Sequence, residues 1–222
     1  MPRVQVREMV SDLSFDGSND QVNLETSSPL KPALFTITIW VYPTAFKWMY
    51  FMSAGYYDTN HIALGYHTGY PGWWIAYNKT STNWGTFVQD KWTHLAIAYD
   101  GASFQLYENG IWKKTQTVAF DLTSNTQDWA FGRETGPSSS SRFWQGMIDD
   151  VHFYNEVLNA TEIRQRYFED IYSDETGLLG HWKMDENSGG TIYDAGGNHS
   201  IDGTINGPTW STSIFSKTRV AI

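Results

Sequence analysis

Residues 90–110, DKWTHLAIAYDGASFQLYENG, leave this chain few ways to fold. Two apolar runs meet at Asp100-Gly101, and the second closes on Asn109-Gly110. Both dipeptides tolerate the positive φ that two-residue hairpin turns demand. Side-chain alternation puts Thr93, Leu95, Ile97 and Tyr99 on one face of the first run, and Trp92, His94, Ala96 and Ala98 on the other. Both faces are suited to burial, as expected of an inner strand in a protein of stacked sheets.

The same period recurs along the chain. Phe35–Tyr42, FTITIWVY, alternates cleanly, and Pro43 ends it by withholding a backbone donor. Shorter strands are expected on either side of the turn-forming cluster Asp16-Gly17-Ser18-Asn19-Asp20, and at 111–118, 128–132, 143–154, 178–184 and 214–222. Asn159-Ala160-Thr161-Glu162 has the form of a capping box, and Ile163, Tyr167 and Ile171 recur every four residues, so one short helix is expected near 160–171. Many short strands with Gly-rich turns and a single helix imply an all-β fold, a two-sheet antiparallel β-sandwich or jelly roll. A length of 222 residues fits one such domain.

A net charge of −9 with no run of Lys or Arg argues against nucleic acid or an anionic membrane as partner, because phosphate binding needs clustered cations. No apolar run approaches the length that crosses a bilayer. The lack of cysteine removes disulfides, thiolate metal sites and cysteine nucleophiles together. Residues 1–10, MPRVQVREMV, lack the apolar core of a signal peptide, so the chain is expected to act inside its cell or to be an extracellular or surface module of a longer chain.

Several stretches together resemble one family. They are LSFDGSNDQVNL at 13–24, FTITIWVYP at 35–43, DKWTHLAIAYDG at 90–101, FQLYENG at 104–110, FGR at 131–133, FWQGMIDDVHFYNEVLNATEI at 143–163 and GLLGHWKMDENSGGTIYDAGGNHSIDGT at 177–204. In them the chain resembles the laminin-G-like domains of the concanavalin A-like lectin/glucanase superfamily. In typical members the last segment comes first. The resemblance therefore implies a circular permutation, with 177–222 folding back to supply the strand usually found at the N-terminus; the rival is that Gly177 opens a second, truncated repeat.

Acidic residues interleaved with Asn and Gly suit a hard cation, since Ca²⁺ takes six to eight oxygens. The candidate segments are Asp149-Asp150, Asp185-Glu186-Asn187 and 194–198, set against the plainer role of capping turns. The resemblance implies a structural calcium held by Asp149, Asp185 and Asn198. Asp16, Asn19 and Asp20 are explained by a turn of Asx residues, or by a further cation.

Aromatic residues make up 16% of the chain and crowd between Lys47 and Trp84. Trp48, Tyr56, Tyr57, Trp73, Trp74 and Trp84 are the candidate ligand-binding rings, because a flat ring against a sugar face supplies apolar contact while nearby polar groups read the hydroxyls. Core packing is the competing role for each, and Trp40 and Trp92 are assigned to packing. The six histidines show no metal-ligand spacing and no triad, and His94 and His152 are expected to be sheet residues. No alternation of Glu and Asp on one strand face marks a glycosidase, and Asp149 and Asp150, being adjacent, point to opposite faces of a regular strand. The expected function is a non-catalytic, calcium-stabilised, lectin-like module that binds carbohydrate or a glycoconjugate. The alternatives are a structural or protein-interaction scaffold such as a surface or virion component, with a protein partner, and less favoured, a glycan hydrolase or lyase.

Overall fold

The computed structural model describes residues 5–6, 11–24, 28–55, 60–136, 142–168, 175–196, 201–211 and 218–219. In chain order its strands begin with β1 (Gln5–Val6), β2 (Asp12–Asp16), β3 (Gln21–Leu24), β4 (Phe35–Pro43), β5 (Met49–Ala54) and β6 (Ile62–Tyr66). Then come β7 (Trp73–Tyr77), β8 (Thr80–Trp84), β9 (Thr93–Tyr99), β10 (Ser103–Glu108), β11 (Ile111–Thr117) and β12 (Ala130–Phe131). The last are β13 (Gln145–Tyr154), β14 (Leu178–Trp182), β15 (Thr191–Ile192), β16 (Gly203–Asn206), β17 (Thr209–Ser211) and β18 (Thr218–Arg219), with the helix α1 (Ala160–Phe168) between β13 and β14.

Two antiparallel sheets stack as a sandwich. The first runs β11-β10-β9-β4-β13-β2-β17, with β14 also on β13; the second runs β15-β16-β3-β12-β5-β6-β7-β8. β1 and β18 form a separate ribbon, Gln5 opposite Arg219. The Asp90–Gly110 stretch supplies β9 and β10 near one end of the first sheet, and β9 is buried along its whole length, as its two apolar faces require. At its second turn Asn109 and Gly110 both take positive φ, and the Asn109 carboxamide accepts the His94 amide at 3.0 Å. Between the sheets lies one continuous apolar core, built from alternate residues such as Phe35, Ile37, Ile39 and Val41 of β4 and Leu95, Ile97 and Tyr99 of β9.

The helix begins as its capping box dictates. Asn159 Oδ1 accepts the amides of Thr161 and Glu162, and Glu162 Oε2 accepts the Asn159 amide at 2.7 Å. Its buried Ile163 and Tyr167 close the outer face of the first sheet, where Tyr167 stacks on Trp40 at 5.5 Å. Residue 171, expected in the helix, lies outside the described residues.

Strand β13 is paired on both edges. On one side it meets β4; on the other it meets β2 through Gln145–Ile148 and β14 through Val151–Tyr154. β14 and β2 therefore run in line along one edge of β13, and Ser11 Oγ donates to Met184 O at 2.9 Å where the two ends meet. β16 adds to β3 in the second sheet. Removing residues 177–222 would expose one edge of β13 and one of β3 and leave Phe131 without Trp182. The shortened chain is expected to lose its cooperative thermal transition; calorimetry showing a sharp transition near the full-length Tm would contradict this.

Candidate functional site

The outer face of the second sheet carries the aromatic feature. In β5, β6 and β7 the residues Phe51, Leu64, Trp73 and Ile75 turn inward to the core, while Tyr50, Ala63, Trp74 and Ala76 form a separate cluster on the far side, with Trp48 packed against it. The small side chains make a floor and the rings make walls. A bulge in β5 past Tyr50 brings its backbone against Gly65, where any Cβ would lie 2.0 Å from Met49 O, so glycine is required there. The resulting cleft measures about 190 Å³ and takes in Tyr50, His67, Tyr70, Trp74, Ser81 and Glu134 among its lining.

Its polar groups are held in place by neighbours. Arg142 lies 3.8 Å above the Trp48 ring and pairs with Glu134. Burial pushes the Glu134 carboxyl up to about 7 against the opposing pull of Arg142. His67 packs against Trp48 with centroids 4.2 Å apart and planes tilted by 51°, and its Nδ1 accepts the Gly69 amide at 3.0 Å, which leaves Nε2–H to donate. Burial, and secondly Arg142, lower the His67 pKa, so the ring is neutral near pH 7. The Trp74 indole N–H has no acceptor among the described residues. Aromatic rings, the His67 N–H donor and one carboxylate match what a sugar offers, a flat C–H face bordered by hydroxyls, while the Trp74 N–H is itself buried.

Of the expected ligand-binding rings, the structure brings Trp48 and Trp74 together here. Trp73 and Trp84 instead lie in the core, 0% and 3% exposed, and Trp73 packs on Phe51 and Phe87. Trp73 follows from β-strand geometry, since adjacent residues face opposite sides. Tyr56 and Tyr57 lie outside the described residues. Glu134, Arg142, His67 and Tyr70 join the site without any motif of their own; the turn-forming Tyr70-Pro71-Gly72 beside the aromatic run is the only local signal.

The expected metal ligands are placed differently. Asp149 is buried in β13, Asp185 is exposed beyond β14, and Asn198 lies outside the described residues. Antiparallel register sets Asp149, next to Ile148, opposite Asp12, next to Leu13, so two buried carboxylates adjoin where β14 and β2 meet. The other acids of the segment organise turns: Asp194 accepts the amides of His181, Gly196 and Ile201, and Glu186 accepts that of Tyr193. Asp16 and Asp20 likewise accept backbone amides, of Ser18 and Asp16.

A cluster invisible to residue spacing forms under α1. His181 Nε2 lies 3.1 Å from Asp150 Oδ1, and His152 Nε2 lies 3.9 Å from it. The donor atoms of Asp150, His152 and His181 all fall within 4.8 Å of one another. Asp150 departs from the regular strand with φ of +53°, in the irregular stretch between Asp149 and His152, so alternation does not govern where it points. Two imidazoles and a carboxylate are a donor set for a zinc-class ion rather than calcium. The imidazoles, however, stack at 3.9 Å with planes 20° apart, so their in-plane lone pairs run side by side and meet at one ion only if a ring turns.

The chain belongs to the concanavalin A-like lectin/glucanase superfamily, whose laminin-G-type model matches residues 16–164. No curated protein matches it in sequence. Among solved structures it is similar to a candidate carbohydrate-binding protein from Bacteroides ovatus, at 19% identity and a TM-score of 0.75, covering 95% of this chain and 62% of that one. It is similar to domain 4 of an extracellular arabinanase from Geobacillus stearothermophilus in complex with arabinotriose, at 18% identity and 0.57, covering 74% and 81%. It is also similar to the enzymatically active domain of a bacteriophage CBA120 tailspike, at 15% and 0.58, covering 85% and 32%. At these identities the likeness is one of fold.

Burial, then the neighbouring His181, hold the His152 pKa well below its ordinary value; Arg166 and His94 push the same way, and Asp150 opposes them. Below pH about 6.5 the unfolded chain takes up a proton that folded His152 refuses. Stability is therefore expected to be full above that pH and to fall as the medium is acidified, as urea titrations from pH 7.5 to 5 will show. The slope is expected to lessen in H152Q; an unchanged slope would contradict the assignment.

Proposed function

We propose that the chain is a non-catalytic carbohydrate-binding module whose ligand lies in the cleft of Trp48, Tyr50, His67 and Trp74. The observation that carries this reading is the cleft on the outer face of the second sheet, where rings stand around a floor of Ala63 and Ala76. Several similar folds are carbohydrate-binding by description, which favours the same class of ligand. Glycoside hydrolysis takes two carboxyl groups flanking the bond. Among the residues lining the cleft Glu134 is the one acid, and Arg142 engages it. Tyr56 and Tyr57 remain candidate ligand-binding residues.

W74A is expected to abolish glycan binding on an array run at a temperature where the variant stays folded, with some loss of Tm because Trp74 is itself only 7% exposed. W73A, one residue away, is expected to cost about 3–5 kcal/mol of stability by emptying the core. Array binding that survives W74A would contradict the proposed site, and silence of the wild type would favour the scaffold reading.

The proposal includes a structural calcium at Asp149 and Asp185, with Asn198 as a further ligand. The adjoining buried carboxylates of Asp12 and Asp149 favour a cation there. We also take 177–222 to complete this one domain as a circular permutation, since β14 continues the line of β2 along β13. A ligand that binds only the folded state stabilises it by mass action. Millimolar Ca²⁺ is therefore expected to raise Tm over that in chelator, by an amount lost in D149N; identical melting curves would count against the metal.

A further inference from the structure

A second cleft, of about 400 Å³, opens on the same outer face, lined by Asn23, Gln127, Asp128, Trp129, Arg133 and Thr135. The two clefts are neighbours because the strip after β12 divides them. Ser53 Oγ of β5 donates to Arg133 O and accepts the Thr135 amide, each at 2.9 Å, which ties the strip down across the sheet. Side chains alternate along it, so Glu134 lines the aromatic cleft while Arg133 and Thr135 line the other.

Arg133 is the unusual member. It is half-buried, and burial lowers its pKa with no carboxylate acting on it. Its one side-chain acceptor among the described residues is the neutral Asn23 Oδ1, at 3.0 Å, and Nε is buried with no partner. A guanidinium remains charged in any such setting, and its planar donor fork matches a carboxylate. Of the other cations near the two clefts, Arg142 pairs with Glu134 and Lys79 lines the aromatic cleft, so Arg133 is the cation that lines the second one.

We propose that the second cleft is an anion-accepting subsite, in which Arg133 binds the carboxylate of an acidic sugar whose neighbouring ring lies against Trp74. This rests on the aromatic cleft being the glycan site. The remaining lining suits a sugar: Asn23, Gln127 and Thr135 offer hydroxyl partners, and the Asp128 carboxylate accepts hydroxyls while opposing any anion placed beside it, so the carboxylate is held at the Arg133 side.

The test is a glycan array that prints each carboxylate-bearing glycan, sialylated or uronate-containing, beside its neutral parent, followed by calorimetry on the best pair. Wild type is expected to bind the acidic member about tenfold tighter, the scale of one charge-assisted hydrogen bond, with the advantage shrinking as salt is raised. R133Q is expected to bind both members equally, with the affinity of the neutral one unchanged. Equal binding of both by wild type would overturn the subsite and leave the aromatic cleft standing. An acidic preference that survives in R133Q would also overturn it. If no glycan binds, both readings fall. The wild-type comparison needs no variant, so it decides even if R133Q does not fold.

Discussion

Alternation along β5, β6 and β7 gives the second sheet two chemically different faces, and the candidate site depends on it. Inward residues such as Phe51, Leu64, Trp73 and Ile75 bury against the first sheet, a gain of roughly 25 cal/mol for each Å² removed from water. That burial fixes the register, because a one-residue slip would turn the core set outward. Once the register is fixed, Tyr50, Ala63, Trp74 and Ala76 have to face outward. The cleft is thus a by-product of core packing, and its shape comes from where the outward set is small.

The first sheet resolves its outer face in another way. There α1 lays Ile163 and Tyr167 over Ala96, Ala98, Trp40 and Tyr154, and the face is sealed. Within this sealed layer sit Asp150, His152 and His181, joined to Thr38 by a 3.2 Å contact to His152 Nδ1. Polar groups so buried are tolerated when they are hydrogen-bonded to each other. The cost shows in the acid sensitivity expected of His152. One sheet therefore has a covered face that stabilises, and the other an open face that can bind.

What the sequence makes legible is local. The Asn109-Gly110 turn, the Asn159 and Glu162 capping box, and the sandwich itself follow from neighbouring residues and a period of two. Trp73 and Trp74 sit on the border: their adjacency predicts opposite faces, but not which of them faces outward, since that depends on how β7 pairs with β6 and β8. The stacking of Arg142 on Trp48 and the meeting of His181 with Asp150 join positions far apart in sequence, and the pairing of Glu134 with Arg142 spans a loop; none leaves a spacing signal. The expectation that Asp149 and Asp150 point to opposite faces assumes a regular strand, which the irregular stretch at Asp150 breaks. Binding sites of this kind arise when loops and register bring distant side chains together, so composition announces the aromatic character of the surface without its geometry.

Which tryptophans a glycan touches is reported one ring at a time by the indole N–H resonances of the chain. In a ¹⁵N–¹H spectrum recorded while the best array glycan is titrated, the Trp74 and Trp48 indole signals are predicted to move and saturate together. Those of the core residues Trp73, Trp84 and Trp144 are predicted to stay in place. Saturable shifts that spare Trp74 and Trp48 and appear instead at the exposed Trp112 would contradict the account.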